Sequence, residues 1–484
     1  MFDIDIVIIG LGATGVSLLS HLQEEVYTLQ LKRPEIAVFN PSHTFATGKA
    51  FGDADHIHRV NTPSSMMSVS NTEPFRFEHW LQSVSGSGER WPTRLQFSDF
   101  IQQTYKDIYK NGILNIKEFH YNVISVNKDK KDFVIRDENG NTVNARKIVM
   151  CLGAQPSDMF PEFNDIPGFI NHFSQYDPGF NEKVIIAGSS LTAIDAFRYI
   201  HSKNDVNVHC YSRSGYAPTC LTEKNTYTPV FLNWRSILTE SAYSGDILGV
   251  FTRLLRKEFY LLRKNGEFRP AMTLLKKGRQ ADYFSLLQKR AEAGDLPCQD
   301  TLVSTRPYMP RIWNAMNNHQ RNLFLSQYGA LWSSWRHPVP YEIFSELSKA
   351  STSGKIKFHK MKTSPVYLKN KFTLNTHSGT LSSGCFWDAT GGSQNLNMMK
   401  SPLLKNLMHQ NLIENHPCGG ININSLTFQC KVKNNNIPDL YNIGPLNKGC
   451  LFSTNAFWFN NQCTEIWAKQ WAFESTERCP EDFI

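Results

Sequence analysis

The chain carries one strand, turn and helix pattern twice, and this repeat strongly limits the folds it can adopt. The first copy, IVIIGLGATGVS, begins at Ile6, and the second, VIIAGSSLTAID, begins at Val184. The two copies align when Gly188 is laid on Gly10. A short β-branched run that ends in glycine and opens a helix is typical of a central parallel strand in a nucleotide-binding sheet. The repeat therefore predicts two such sheets within one chain.

The first copy has the spacing G-x-G-x-x-G. One glycine makes the tight turn, the second lets the backbone approach a pyrophosphate, and the third lets the helix pack closely on the strand. The next strand ends at Asn40, where an acidic residue usually holds a ribose hydroxyl, so we expect a neutral and weaker contact there. The predicted dinucleotide contacts are Gly10, Gly12, Ala13, Thr14, Gly15 and Asn40.

The second copy departs from this pattern in an informative way. Serine replaces the second glycine, which indicates a looser approach to phosphate, as suits a cofactor that must leave. The strand that follows ends in an arginine without an acid, and a guanidinium can pair with a 2′-phosphate, so NADPH is favoured over NADH. The alternative is that this arginine belongs to an ordinary surface turn. The predicted contacts are Gly188, Ser189, Ser190, Thr192, Ser212 and Arg213.

A second, longer repeat predicts how the two sheets are connected. Phe133 and Phe372 are 239 residues apart, and so are Gly140 and Gly379. Each copy predicts a β-hairpin with a glycine turn, followed by a strand that ends in small residues. These ends, CLGAQP and DATGGS, add Gly153, Thr390 and Gly391 to the predicted cofactor contacts.

These patterns predict an α/β fold with two Rossmann-like dinucleotide-binding domains, in which the NAD(P) domain is inserted into the FAD domain and β-hairpins connect them. We expect the resident flavin in one site and the nicotinamide in the other, with the two sites facing one another. The predicted ranges are residues 1–160 for the first part of the FAD domain, 161–350 for the NAD(P) domain, with a helical insertion at about 240–330, and 351–484 for the second part of the FAD domain.

Further segments carry a family resemblance. They are GKAFGDADHIHRVNTPSSMMSVSNTEPFRFEHWL from Gly48, SRSGYAP from Ser212, RPYMPRIW from Arg306, WRHPVP from Trp335 and LYNIGPLNKG from Leu440. With them the chain resembles the bacterial FAD-NAD(P)-binding family, which is related to amino-acid N-hydroxylating flavin monooxygenases. The resemblance implies that residues 61–67 run beside the flavin ring and residues 443–445 lie at its other end. It adds Asn61, Thr62, Met66, Met67, Gly444 and Pro445 as cofactor contacts.

The resemblance also implies a reaction. We expect an enzyme in which NADPH reduces FAD and molecular oxygen is used to hydroxylate an amino or other nucleophilic group of a small substrate, while the protein orients the reactants and excludes water. The alternatives are an FAD-dependent NAD(P)H oxidoreductase without oxygenation and a flavin redox sensor without turnover. No catalytic acid or base is predicted.

A group of cationic side chains is the candidate substrate site. A guanidinium can clamp a carboxylate with two parallel hydrogen bonds, which would suit an acidic substrate. The alternative is that these arginines support packing or face phosphate. The candidates are Arg306, Arg311, Arg336 and His337.

Composition excludes several other classes. Apolar residues are 41% and charged residues 19% of the 484, which is a globular composition. There is no apolar run of about 18 residues, no signal peptide and no Cys-x-x-Cys pair among ten cysteines, so we expect a cytoplasmic protein with reduced thiols, no membrane span and no dithiol chemistry. The net charge of +8 is mild, and no nucleic-acid partner is expected.

Two smaller features are a basic segment and a group of aspartate and histidine residues. The segment from Phe251 to Arg290 has 11 basic against three acidic residues, which favours a solvated helical face over a membrane surface or an acidic partner. Asp53, Asp55 and His56 lie close together with His58, yet nothing distant in sequence completes a metal site, so no metal is expected. The oligomeric state is left open.

Overall fold

A computed structural model describes residues 3–86, 88–129, 132–157, 159–222 and 226–477. The chain forms two compact units. The first comprises residues 1–156 and 392–484, and the second comprises residues 157–391. The predicted arrangement, with one α/β domain inserted into another, is therefore confirmed.

The structure describes sixteen strands in the two units. In chain order they are β1 Asp3–Ile9, β2 Glu35–Phe39, β3 Asn115–Phe119, β4 Val123–Asp129, β5 Asp132–Asp137, β6 Thr142–Met150, β7 Phe169–Ile170, β8 Val184–Ala187, β9 Val208–Ser212, β10 Ile356–Lys360, β11 Val366–Leu368, β12 Lys371–Thr376, β13 Gly379–Ser383, β14 Cys385–Asp388, β15 Gln429–Val432 and β16 Asn435–Asn442.

The α-helices cover the sheets and form a separate helical part in the second unit. They are α1 Ala13–Thr28, α2 Arg76–Ser85, α3 Arg94–Asn111, α4 Leu191–Lys203, α5 Trp234–Ser244, α6 Ile247–Leu261, α7 Phe268–Lys276, α8 Gln280–Glu292, α9 Pro297–Ser304, α10 Met309–Ala315, α11 Asn318–Gln327, α12 Gly329–Arg336, α13 Tyr341–Thr352, α14 Pro402–His409, α15 Lys448–Leu451 and α16 Phe457–Glu477. No helix among the described residues is long and apolar enough to cross a membrane.

The first unit is built on a sheet in the order β15-β16-β6-β1-β2-β3. β1 pairs in parallel with both β2 and β6, and β6 pairs in parallel with β16. The β-branched side chains Ile6, Val7 and Ile8 are all fully buried, as a strand covered on both faces requires. α1 packs against α3 and α16 beside this sheet.

The second unit repeats this plan with the order β10-β9-β8-β14-β7. β8 lies between β9 and β14, as β1 lies between β2 and β6. The hydrogen bonds at the two strand ends also correspond. The Cys151 N–H donates to the Ile9 carbonyl at 2.7 Å, and the Ala389 N–H donates to the Ala187 carbonyl at 2.9 Å. The repeat in the sequence is thus a repeat in the backbone.

Both predicted hairpins are present, but the second returns to a different sheet from the one expected. β5 pairs with β6, and β12 pairs with β13, each antiparallel. Gly140 and Gly379 have φ of +86° and +128°. After the second hairpin, β14 pairs with β8 in the inserted unit. The expected boundary at 350 is therefore corrected to 391, because β10 to β14, which follow residue 350, belong to the inserted unit.

The helical part of the second unit runs from α5 to α12, close to the predicted insertion at about 240–330. Two buried carboxylates hold backbone segments of this helical part, one before α5 and one at the start of α9. Glu258 is fully buried and accepts from the N–H groups of Phe231 at 2.7 Å and Leu232 at 3.1 Å. Glu267 accepts from Cys298 and Gln299 at the N-terminus of α9. Each buried charge is thereby satisfied by backbone donors.

Candidate functional site

The first glycine turn connects β1 to α1 and leaves no space for side chains. Gly10 has φ +100°, its N–H donates to the Phe39 carbonyl at 2.8 Å, and a Cβ on it would lie 2.3 Å from the Cys151 carbonyl oxygen. A Cβ on Gly15 would lie 2.3 Å from the Gly10 carbonyl oxygen. Only glycine fits either position, which accounts for the first and third glycines of the motif.

The helix that follows this turn begins without a cap. Gly12 is the N-cap of α1, no side chain bonds the first N–H groups, and no acidic residue lies in the first turn. Ala13 and Thr14 thus lie at the positive end of a helix dipole whose first N–H groups have no side-chain cap. Free N–H groups at a helix N-terminus are suited to bind a phosphate.

A second backbone segment approaches the turn at Gly48, which begins a segment with the family resemblance but was not among the predicted cofactor contacts. A Cβ on Gly12 would lie 3.2 Å from the Gly48 Cα, and a Cβ on Gly48 would lie 2.8 Å from the Gly12 Cα. Gly48 has φ +68°. The signal in the sequence was the glycine itself, at the start of the GKAFG stretch.

Asn40 holds the glycine turn in place. Its Oδ1 accepts from the Leu11 N–H at 3.0 Å, and its Nδ2 donates to the Thr44 Oγ1 at 3.2 Å and to the Pro41 carbonyl at 3.1 Å. Only 8% of Asn40 is exposed. The amide at the predicted ribose position therefore fixes the turn, and a contact with ribose stays a prediction.

Four of the predicted positions gather at one edge of the first sheet. Gly10 follows β1, Asn40 follows β2, Gly153 follows β6 and Gly444 follows β16. These strands are neighbours and run parallel, so their carboxyl ends lie along one edge, where ligands bind in open α/β sheets. Gly153 and Gly444 have φ of +71° and +134°. Pro445 begins the short 3-10 turn that follows.

The segment with Asn61, Thr62, Met66 and Met67 belongs to the first unit. The N–H of Ser64 within it donates to the Arg90 carbonyl at 3.0 Å. Asn61 and Thr62 are half-buried, Met66 is 36% exposed and Met67 is buried. Its expected place beside a flavin ring stays a prediction.

The second glycine turn repeats the first with a looser structure. Gly188 has φ +133°, and a Cβ on it would lie 2.5 Å from the Ala389 carbonyl oxygen, as at Gly10. Ser190 is the N-cap of α4, again with no side-chain cap. Ser190 and Thr192 are exposed, whereas Ser189 is buried. This turn can also receive phosphate on free helix N–H groups.

Two cations lie at the end of β9. Ser212 accepts from the Gly215 N–H at 3.0 Å and so shapes the turn that carries Arg213. Arg213 is exposed, and its side chain has no hydrogen bond or ion pair within the described residues. Lys360, also exposed, pairs in register with Ser212 from the neighbouring β10. Lys360 was not predicted from the sequence, because it lies about 150 residues away from Ser212 along the chain.

Thr390 and Gly391 lie in the second unit, not in the first as the expected ranges had placed them. They follow β14, the strand beside β8. Asp388 Oδ1 accepts from the Thr390 N–H at 3.0 Å and from its Oγ1 at 2.6 Å. This places them at the carboxyl edge that carries the second glycine turn.

The predicted substrate residues separate into two groups. Arg336 is buried with Arg306 close by. Burial, together with the charge of Arg306, lowers the pKa of Arg336 to about 9. Burial also lowers the pKa of Arg306. Arg311 is exposed over the Trp234 ring at 5.8 Å, and His337 is exposed with its Nδ1 3.2 Å from the Ser333 carbonyl. The structure thus unites two of the four candidates.

The acidic and histidine residues near position 55 have local partners. Asp55 donates its N–H to the Nδ1 of His58 at 3.0 Å, and its carboxylate lies 2.8 Å from His56. In the part of the chain that is described, no three His, Cys, Asp or Glu side chains group as metal ligands.

Comparisons with known proteins agree with this geometry. Residues 7–155 match the family model described as FAD-NAD(P)-binding, which confirms the predicted resemblance over that range. Among solved structures, ornithine hydroxylase from Pseudomonas aeruginosa is 13% identical, with a TM-score of 0.59 over 98% of this chain and 100% of that one. L-lysine 6-monooxygenase from Pseudomonas syringae is 13% identical, with a TM-score of 0.58 over the same shares.

A third solved structure belongs to a reductase. Bacillithiol disulfide reductase from Bacillus cereus is 12% identical, with a TM-score of 0.51 over 98% of this chain and 100% of that one. At such identities the likeness establishes the shared fold. No curated protein sequence matches the chain.

Proposed function

We propose that this chain, whose residues 7–155 carry the FAD-NAD(P)-binding family domain, is an FAD-dependent, NADPH-using monooxygenase. Its proposed reaction is hydroxylation of an amino or other nucleophilic group of a small, carboxylate-bearing substrate with molecular oxygen. The observation that carries the proposal is the duplicated glycine turn, each copy leading into an uncapped helix. The three solved structures named above, a hydroxylase, a monooxygenase and a reductase, support the oxidoreductase class.

The first unit is proposed to hold FAD. When bound, the flavin supplies the electron transfer and the oxygen chemistry. The residues of this chain bind and orient it. Gly10 and Gly12 let the backbone approach the pyrophosphate, and the N-terminus of α1 offers free N–H groups. Asn40 keeps the turn rigid through the Leu11 N–H.

The second unit is proposed to bind NADPH. Ser190 and the N-terminus of α4 would meet the pyrophosphate. Arg213 and Lys360 present two exposed cations at the edge where a 2′-phosphate is expected. A negative side chain at this strand end would repel that phosphate, and the strand ends in Ser212 instead. This charge pattern favours NADPH over NADH.

The cysteines do not favour a thiol–disulfide reaction. Nine described cysteines form no disulfide, and all of them except Cys418 are buried. Burial raises the pKa of the Cys151 and Cys385 thiols to about 12, so neither is a thiolate at neutral pH. An NADPH oxidoreductase without oxygenation is the second candidate, and the experiment below separates it. We place the protein in the cytoplasm, where such thiols stay reduced.

The test uses the purified protein in two steps. The flavin absorbance of the protein is recorded first, and it is then reduced with NADPH or NADH without oxygen. Air is admitted next in the presence of amines and amino acids, and the product mass is measured. We expect a bound flavin, faster reduction by NADPH and a product heavier by one oxygen atom. Reduction followed by electron transfer only to an added acceptor would favour the second candidate. Protein that does not bind FAD would refute both.

A further inference from the structure

Arg336 is a buried charge without a partner. It ends α12, and 6% of the residue is exposed. Its Nε is buried and has no acceptor, and no described residue forms an ion pair or a hydrogen bond with its guanidinium. Among the described residues, the charge that acts most strongly on its pKa is another cation, Arg306. A guanidinium in this state is costly, because burial removes water without supplying an anion.

The same unit shows what a satisfied buried arginine looks like. Arg198 has the same exposure of 6%, and its Nε and Nη2 contact the carboxylate of Glu346 at 2.7 and 3.2 Å. Arg336 has the burial of Arg198 without the carboxylate. The difference indicates that its anion comes from outside the chain.

The backbone around Arg336 is held rigidly. The Val339 N–H donates to the Thr219 carbonyl at 2.9 Å, and the Leu221 N–H donates to the Val339 carbonyl at 2.9 Å. The Thr219 hydroxyl contacts the Ser334 carbonyl at 3.4 Å. The end of α12 is thus fixed on both sides of Arg336, which reduces the entropy lost when a ligand binds.

We propose that Arg336, with Arg306 beside it, binds the carboxylate of a small molecule in the helical part of the second unit. The planar fork of a guanidinium matches a carboxylate with two parallel hydrogen bonds. The inference rests on the proposed function only in naming this molecule as the substrate.

Thermal unfolding in matched chloride buffers tests the site without turnover. The probes are acetate, L-lysine, L-ornithine and inorganic phosphate at low millimolar concentration, which keeps general salt effects small. We expect a carboxylate to raise the Tm of the wild type. Arg336→Met should weaken the binding of that carboxylate at least about tenfold, because a hydrogen bond to a charged group is lost. Arg336→Lys should be intermediate, since it keeps the charge without the fork.

Arg198→Met is the matched control. It should unfold at a lower temperature in chloride alone, because it removes the two hydrogen bonds from Arg198 to the Glu346 carboxylate, while carboxylate binding stays unchanged. Arg336→Met should lose no stability in chloride, because it removes an unpaired charge. Equal carboxylate affinity in Arg336→Lys and wild type, or stabilisation by phosphate alone, would overturn the proposal. Binding that depends on Arg336 without any oxygenated product would instead refute only the proposed reaction.

Discussion

Replacement of Arg213 by alanine tests the assignment of the second glycine turn to NADPH. Arg213 follows β9 at the carboxyl edge of the second sheet, and its guanidinium is exposed. Lys360 reaches the same edge from β10. We expect Arg213→Ala to weaken the binding of NADPH and to leave the binding of NADH almost unchanged, because the two nucleotides differ only in the 2′-phosphate.

The expected magnitude follows from the exposure of the site. A hydrogen bond to a charged group contributes about 1.5–3 kcal/mol, and exposure to solvent places Arg213 at the lower end. About 1.5 kcal/mol corresponds to a roughly tenfold weaker Kd for NADPH. Lys360→Ala should act in the same direction but more weakly, because an ammonium lacks the bidentate fork.

The assay is anaerobic stopped-flow reduction of the flavin, with the Kd of each nucleotide taken from the concentration dependence of the rate. Lys183→Ala is the matched control, since this exposed lysine precedes β8 at the opposite edge of the sheet. An equal loss for NADPH and NADH in Arg213→Ala, or no loss for either, would refute the assignment of the 2′-phosphate.

Three further predictions concern the first glycine turn, the side chain that holds it, and the second sheet. Gly10→Ala should abolish FAD binding, because the strained φ costs about 1–3 kcal/mol and the Cβ must also displace the Cys151 carbonyl. Gly140→Ala is the control, since Gly140 has a positive φ but a Cβ there would meet no atom within 4 Å, so this variant should show the cost of backbone strain alone. The flavin content and the urea unfolding of the two variants are compared. Asn40→Ala should destabilise the first unit by about 1–3 kcal/mol and release flavin, since the Leu11 N–H loses its acceptor, and Asn40→Asp should retain flavin. Burial, with the neighbouring His359, lowers the pKa of His209 to about 4 from 6.5, and burial lowers the pKa of His359 to about 4 as well. Stability is therefore complete above pH 6.5 and falls as the pH drops toward 4, by at most about 1.4 kcal/mol per pH unit for each histidine. His209→Gln should reduce this slope in urea unfolding between pH 7 and pH 5 and leave the part due to His359.

The strand–turn–helix repeat predicted the two sheets because it reports local backbone geometry. Gly10 and Gly188 each need a positive φ and a close carbonyl, and both requirements appear in the sequence as glycine. The hairpin repeat was equally local, but the sheet that a strand joins is decided by distant hydrogen bonds. β14 pairs with β8 some 200 residues earlier, so its pattern alone could not reveal the boundary at 391.

The candidate site was predictable in residue type and less so in geometry. Arg306 and Arg336 were grouped with His337 because they are close in sequence, yet the end of α12 buries Arg336 and exposes His337. A helical turn separates adjacent side chains in this way. Lys360 was not predicted at all, because only the parallel pairing of β10 with β9 brings it to Ser212.

The two glycine turns differ in how closely their backbones pack, and this difference argues for different residence times of their cofactors. In the first, a Cβ on Gly48 would lie 2.8 Å from the Gly12 Cα, so Gly48 does not admit a side chain, and a Cβ on Gly12 would lie 3.2 Å from the Gly48 Cα and require a small shift of that backbone. The second has an exposed Ser190 in the place of Gly12. Ala193 stands where Gly15 stands in the first, so a methyl group lies between strand and helix. A glycine turn that closes around a pyrophosphate slows the release of the cofactor, while an exposed turn permits the cofactor to exchange. The proposed retention of FAD by the first unit and the proposed exchange of NADPH at the second would therefore both follow from one kind of turn, which in the second copy keeps Gly188 but has Ser190 and Ala193 in place of the other two glycines.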